Sequence, residues 1–65
     1  MRTITSDELK DGDVFRRTVN GNNDNLDRKV VGDSVTWADG DNMCFNESLD
    51  DYRGAGAEDV YLIED

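Results

Sequence analysis

Residues 28–37, Arg28-Lys29-Val30-Val31-Gly32-Asp33-Ser34-Val35-Thr36-Trp37, decide how the chain is read. Two short runs rich in β-branched residues flank Gly32-Asp33, with glycine first as a type II′ hairpin turn prefers. A two-residue loop there sets Val30 opposite Val35 and Arg28 opposite Trp37, all on one face. Such a pairing keeps the valines together and lets the arginine stem lie along the indole, near the rim of a core.

Downstream, residues 34–38 form a third strand and residues 43–46 a fourth, joined through Asp39-Gly40-Asp41-Asn42. A two-residue loop at Asp39-Gly40 splits the apolar face, because a one-residue slip moves every side chain to the other side. An odd loop centred on Gly40 sets Trp37 opposite Met43 and Val35 opposite Phe45 and keeps that face apolar. Asp39–Asn42 therefore reads first as a turn, and Cys44 falls on the opposite face, in a weak partner-facing or second-core role.

Upstream, Thr5-Ser6-Asp7-Glu8 has the form of a capping box and predicts one or two helical turns. Lys10-Asp11-Gly12-Asp13 turns the chain into a first strand over residues 14–19. Residues 20–25 make a polar loop of Asn, Gly and Asp, which tolerate positive φ, before a second strand over residues 26–31. Residues 47–52 predict a short helix on which Leu49 and Tyr52 share a face, with Gly54 or Gly56 to stop it. Residues 60–63 close the chain as a short buried strand.

The expected architecture is mainly β: a single small domain over residues 1–65, five strands curled into a barrel, with one or two short helices. At this point the chain resembles the SH3-like barrels, of the kind found among short phage-encoded proteins. The resemblance lies in Glu8-Leu9-Lys10-Asp11-Gly12-Asp13-Val14-Phe15 entering the first strand, in Val30-Val31-Gly32-Asp33-Ser34-Val35, and in the helical turn before the last strand. It implies a five-stranded barrel and a role in binding a host protein. The Tyr/Trp array that grips proline-rich ligands is missing, so that activity is not implied.

Composition narrows the function classes. A chain of 65 residues buries only about 60% of the surface its unfolded form exposes, which leaves one modest core and little room for a deep cleft. There is no histidine, and the single Cys44 has acidic neighbours that disfavour a thiolate. Paired carboxylates such as Asp50-Asp51 are present, but acid–base work needs unequal environments in a site that excludes water. The expectation is a protein that is not an enzyme and needs no cofactor. One cysteine closes no internal disulfide, and no apolar run has the length of a signal peptide or a membrane span, which fits a cytoplasmic setting.

Charge is the strongest compositional fact. Sixteen acidic residues against seven basic ones give −9. Residues 1–32 balance their charges; residues 33–65 carry Asp33, Asp39, Asp41, Glu47, Asp50, Asp51, Glu58, Asp59, Glu64 and Asp65 against Arg53 alone. Direct nucleic-acid binding is disfavoured, since no surplus of Lys and Arg is left to neutralise phosphates. Carboxylates held by turns and a helix can instead imitate a row of phosphates and attract a basic partner.

The reading drawn from this is a non-enzymatic acidic module that binds a basic or nucleic-acid-binding protein, as a phage-type inhibitor and nucleic-acid mimic. Its contact set is Asp39, Asp41, Glu47, Asp50, Asp51 and Tyr52. A self-associating assembly component, with a possible homodimer, is the alternative, and a calcium-stabilised loop at Asn20–Asp27 or Asp39–Asn42 a third. An acidic surface serving only solubility or high-salt adaptation also fits the charge. Arg16, Arg17, Arg28 and Lys29 form the one basic cluster, read as cross-strand pairing with nearby Asp.

Overall fold

A computed structural model describes residues 2–38 and 46–64. It contains seven strands, all pairing antiparallel: β1 (Arg2–Thr5), β2 (Val14–Val19), β3 (Asn22–Asn23), β4 (Arg28–Val31), β5 (Ser34–Trp37), β6 (Glu47–Ser48) and β7 (Asp59–Ile63). The order across the sheet is β1-β7-β2-β4-β5-β6, with β3 paired to the end of β2. The sheet is open, with β1 and β6 at its ends, so the mainly β class holds while the closed five-stranded barrel is not what the strand pairing defines.

The β4–β5 hairpin forms as its sequence dictates. Val30 pairs with Val35 and Arg28 with Trp37. Of the two loop residues only Gly32 has positive φ, +59°, as a type II′ turn requires. Strand β4 starts two residues later than expected. Asp24 Oδ1 accepts the Leu26 N–H at 3.0 Å, which bends the chain at residues 24–26 and leaves Leu26 half exposed.

The β5–β6 register differs from the expected one. Val35 pairs with Glu47 and Ser34 with Ser48, so Phe45 is not opposite Val35. The Leu49 N–H donates to the Asp33 carbonyl at 2.7 Å, and Leu49 is 95% buried. Setting Leu49 into the core fixes this register. Residues 43–45 of the expected fourth strand, and with them Met43 of the expected Trp37–Met43 pairing, lie outside the described residues, and Asn46 belongs to no strand.

The helices are single 3-10 turns, η1 (Ser6–Glu8), η2 (Leu49–Tyr52) and η3 (Gly54–Gly56), and no α-helix occurs among the described residues. Glu47 and Ser48, expected to begin a helix, belong to β6; the Ser48 hydroxyl accepts the Asp50 N–H at 3.3 Å and starts η2 after them. The Glu8 carboxylate takes the Thr5 N–H at 3.1 Å, the capping contact read from the sequence. A Cβ at Gly56 would collide with the Asp51 carbonyl, so η3 packs on η2 only with glycine there.

The core consists of Leu9, Phe15, Val30, Val35, Leu49, Tyr52, Val60 and Leu62, with Ile4 packed against it. Phe15 lies beside Leu62 on one side and Arg28 on the other, and its ring meets Tyr52 edge-on at 5.5 Å. The seam between the chain's ends is polar. Ser6 is fully buried; its hydroxyl donates to the Tyr52 carbonyl and accepts the Glu58 N–H at 2.9 Å. Asp7 accepts the Gly54 N–H at 3.0 Å, and Arg53 donates to the Leu9 carbonyl at 2.9 Å.

Candidate interaction face

The expected contact set separates when placed on this fold. Asp50 and Asp51 are exposed on η2. Glu47 is half-buried and its Oε1 accepts the Tyr52 hydroxyl at 2.6 Å. Tyr52 is only 3% exposed, so it is a core residue and not a partner contact. Its i, i+3 pairing with Leu49, which also suggested a buried face, is the property the fold uses. Asp39 and Asp41 lie outside the described residues.

Backbone contacts bring other carboxylates toward Asp50 and Asp51. The Asp33 carbonyl holds the Leu49 N–H, which places the β4–β5 turn against the start of η2. Asp11 Oδ1 accepts the Gly32 N–H at 2.8 Å and ties the turn before β2 to the same hairpin. Asp11, Asp33, Asp50 and Asp51 are all exposed and follow one hydrogen-bonded path from turn to turn. Asp11 comes from the charge-balanced half of the sequence. Its membership needs the 21-residue contact to Gly32, and the only local signal is an Asx-type turn residue before a glycine.

The arginines are engaged elsewhere. Arg28 pairs with Asp24 at 2.7 Å, nearly buried, and its guanidinium sits 5.4 Å over the Trp37 ring. Arg16 pairs with Asp27 at 2.5 Å, Arg17 with Glu58 at 2.8 Å and Arg2 with Glu64 at 3.0 Å. The sequence expected cross-strand pairing of the basic cluster with nearby Asp; Arg16 pairs with an Asp 11 residues on, Arg28 instead with one four residues earlier in the chain, and Arg17 with Glu58, 41 residues along the chain. Among the described residues no ion pair uses Asp11, Asp33, Asp50 or Asp51.

These contacts shape the titration of the cluster. Burial pushes the Asp24 carboxyl up, but the Leu26 N–H and Arg28 together outweigh it and hold the group below its usual range. Burial pushes the Tyr52 phenol up, and the Glu47 carboxylate reinforces the effect. Arg17 is held above its ordinary value chiefly by the Glu58 hydrogen bond.

Other arrangements offer less chemistry. Three side chains of the Asn20–Asp27 loop have oxygens committed within the fold: Asn23 Oδ1 to the Asn25 N–H, Asp24 to Leu26 and Arg28, Asp27 to Arg16. Among the described residues no group of three His, Cys, Asp or Glu side chains gathers to hold a metal. An open depression of about 400 Å³ near Ile4 and Leu62 is rimmed by Glu8, Asp13 and Glu64. Those carboxylates hold the Thr5 N–H, the Lys10 N–H and Arg2. No helix among the described residues is long and apolar enough to cross a membrane.

Comparison with protein-family models, curated proteins and solved structures finds no match. The class the geometry defines is a small open-sheet antiparallel β domain with an exposed acidic rim.

Proposed function

We propose that the chain is a non-enzymatic, cytoplasmic acidic module that binds a basic, nucleic-acid-binding protein, in the manner of a phage-encoded inhibitor that stands in for phosphates. The observation that carries this reading is the rim itself. Asp33, Asp50 and Asp51 are exposed, set on backbone-bonded turns, and outside every ion pair of the described residues. Carboxylates fixed in this way meet Lys and Arg without the ordering cost of a flexible acidic tail. The run β7-β2-β4-β5-β6 with a 3-10 turn before the last strand supports the SH3-like reading of the fold.

The test is capture from a bacterial lysate, washed at about 0.05 M and then at about 0.2 M salt, a range over which phosphate-like contacts weaken steeply. One basic nucleic-acid-binding protein is retained at low salt and released at high salt. The combined variant Asp33→Asn, Asp50→Asn, Asp51→Asn keeps its fold and loses that partner. Undiminished capture by the variant overturns the reading. Salt-indifferent capture of the chain by itself favours self-association instead.

A further inference from the structure

The polar loop after β2 is a tight hairpin, and its tip carries reactive chemistry. Val19 pairs with Asn22 and Thr18 with Asn23, so Asn20-Gly21 is a two-residue loop. Asn20 has φ of 53° and Gly21 of 83°, both left-handed, as a type I′ turn requires. Both residues are exposed. The Tyr61 hydroxyl donates to the Gly21 carbonyl at 3.1 Å and ties this tip to β7.

We propose that Asn20-Gly21 is a spontaneous modification site, at which Asn20 deamidates through a cyclic imide, and that the Tyr61 contact restrains the reaction. The Gly21 amide nitrogen loses its proton and bonds to the Asn20 side-chain carbonyl carbon. The Asn20 side-chain nitrogen leaves as ammonia. Water then opens the imide at one carbonyl or the other, giving aspartate or isoaspartate. No oxidant or further reactant is needed. Glycine as the following residue leaves the attacking nitrogen unhindered, because it carries no Cβ. Asn22, Asn23 and Asn25 are followed by bulkier residues, and Asn23 Oδ1 is also held by the Asn25 N–H at 3.0 Å.

The folded turn slows the ring closure. Asn20 is fixed in the left-handed region, and closure requires its backbone to rotate out of it. The reaction therefore proceeds through opening of the hairpin tip, and the Tyr61–Gly21 bond is one of the contacts that must break. Asp11-Gly12 serves as an internal contrast. There the Gly12 N–H donates to the Val30 carbonyl at 2.8 Å and Asp11 holds Gly32, so both partners in any ring closure are occupied.

The product changes the molecule in two ways. Either acid adds a negative charge to a chain already at −9. Isoaspartate also lengthens the main chain by one methylene in a loop whose length sets the register, which unpairs β3 from β2.

The test incubates the full chain in mildly alkaline buffer and maps aspartate and isoaspartate by peptide analysis over time. Asn20 reacts ahead of every other asparagine, faster still in denaturing urea. Tyr61→Phe speeds the native reaction about fivefold, the factor that loss of one ordinary hydrogen bond gives, and leaves the rate in urea unchanged. Earlier reaction at another asparagine overturns the site. Equal rates for native and urea-unfolded chain, or for Tyr61→Phe and wild type under native conditions, overturn the restraint.

Discussion

Ser6 shows how much one small side chain does in a domain of this size. Its hydroxyl serves the Tyr52 carbonyl and the Glu58 N–H while fully buried, and its own N–H donates to the Glu58 carbonyl at 2.8 Å. Ser6→Ala leaves the buried Tyr52 carbonyl and the part-buried Glu58 N–H without that partner and costs about 1–3 kcal/mol, read as a lower urea midpoint with unchanged m-value. The sequence shows Ser6 only as part of a capping box; its partners lie 46 and 52 residues away, and no local pattern encodes them. Tyr52 carries a pH signature. Its folded pKa is raised above the ordinary value of about 10, so the stability contributed by the neutral phenol is complete below that pH and is lost as pH rises toward the folded value. Stability falls above about pH 10 in the wild type, and Tyr52→Phe removes that part of the fall while losing the Glu47 bond.

Elements differ in how clearly the chain spells them. The β4–β5 hairpin is legible because its turn residues and its apolar face agree, and a slip of one residue would break both. The β5–β6 register is not legible by the same means. The expected and observed pairings of Val35 differ by two residues, Phe45 against Glu47, and such a shift leaves every side chain on its own face. Strand β1 offers only Ile4 as an apolar residue, so its pairing with β7 is a tertiary effect that alternation does not announce. The β2–β3 hairpin was open to reading from Asn20-Gly21, whose dipeptide is a strong type I′ signal despite the polar residues around it.

The Asp24–Arg28 pair belongs to this scale, since it joins the bend after β3 to the start of β4. Both side chains are nearly buried, which makes breaking the pair costlier than replacing it. Asp24→Asn removes the charged partner of the guanidinium, which keeps the Leu26 carbonyl and the Trp37 ring, and costs about 3 kcal/mol, whereas Asp24→Leu with Arg28→Met restores most of that loss in a double-mutant cycle. The folded pKa of Asp24 is depressed, so its contribution is present above the ordinary carboxylate range and disappears as pH falls through the folded value. Asp24→Asn accordingly flattens the acid limb of the stability profile.

On the scale of the whole molecule, a charge of −9 on 65 residues sets local ion pairs against general repulsion. Among the described residues, much of the acidic charge resides in exposed carboxylates that make no ion pair, and the surface pairs that salt would weaken are each worth little. The melting temperature therefore rises as salt increases from about 0.01 to about 0.15 M, over which the screening length shrinks from about 30 to about 8 Å. A melting temperature that falls over this range would show that the arginine pairs outweigh the repulsion. The acidic rim was legible as composition but not as a site, because Asp11 and Asp33 join Asp50 only through contacts between distant turns.

Strand β7 lies between β1 and β2, although it comes from residues 59–63. Its neighbours are made first and wait for it. During synthesis, a chain that has not yet reached Val60 has no strand to join its first residues to its centre. It lacks two core side chains, Val60 and Leu62, and leaves an edge of both β1 and β2 open. Assembly of the sheet is thus deferred until residues 59–63 have left the ribosome, and the closure joins Arg2 to Leu62. A stop codon between residues 53 and 59 removes this interior strand of the sheet, so it acts as a null allele.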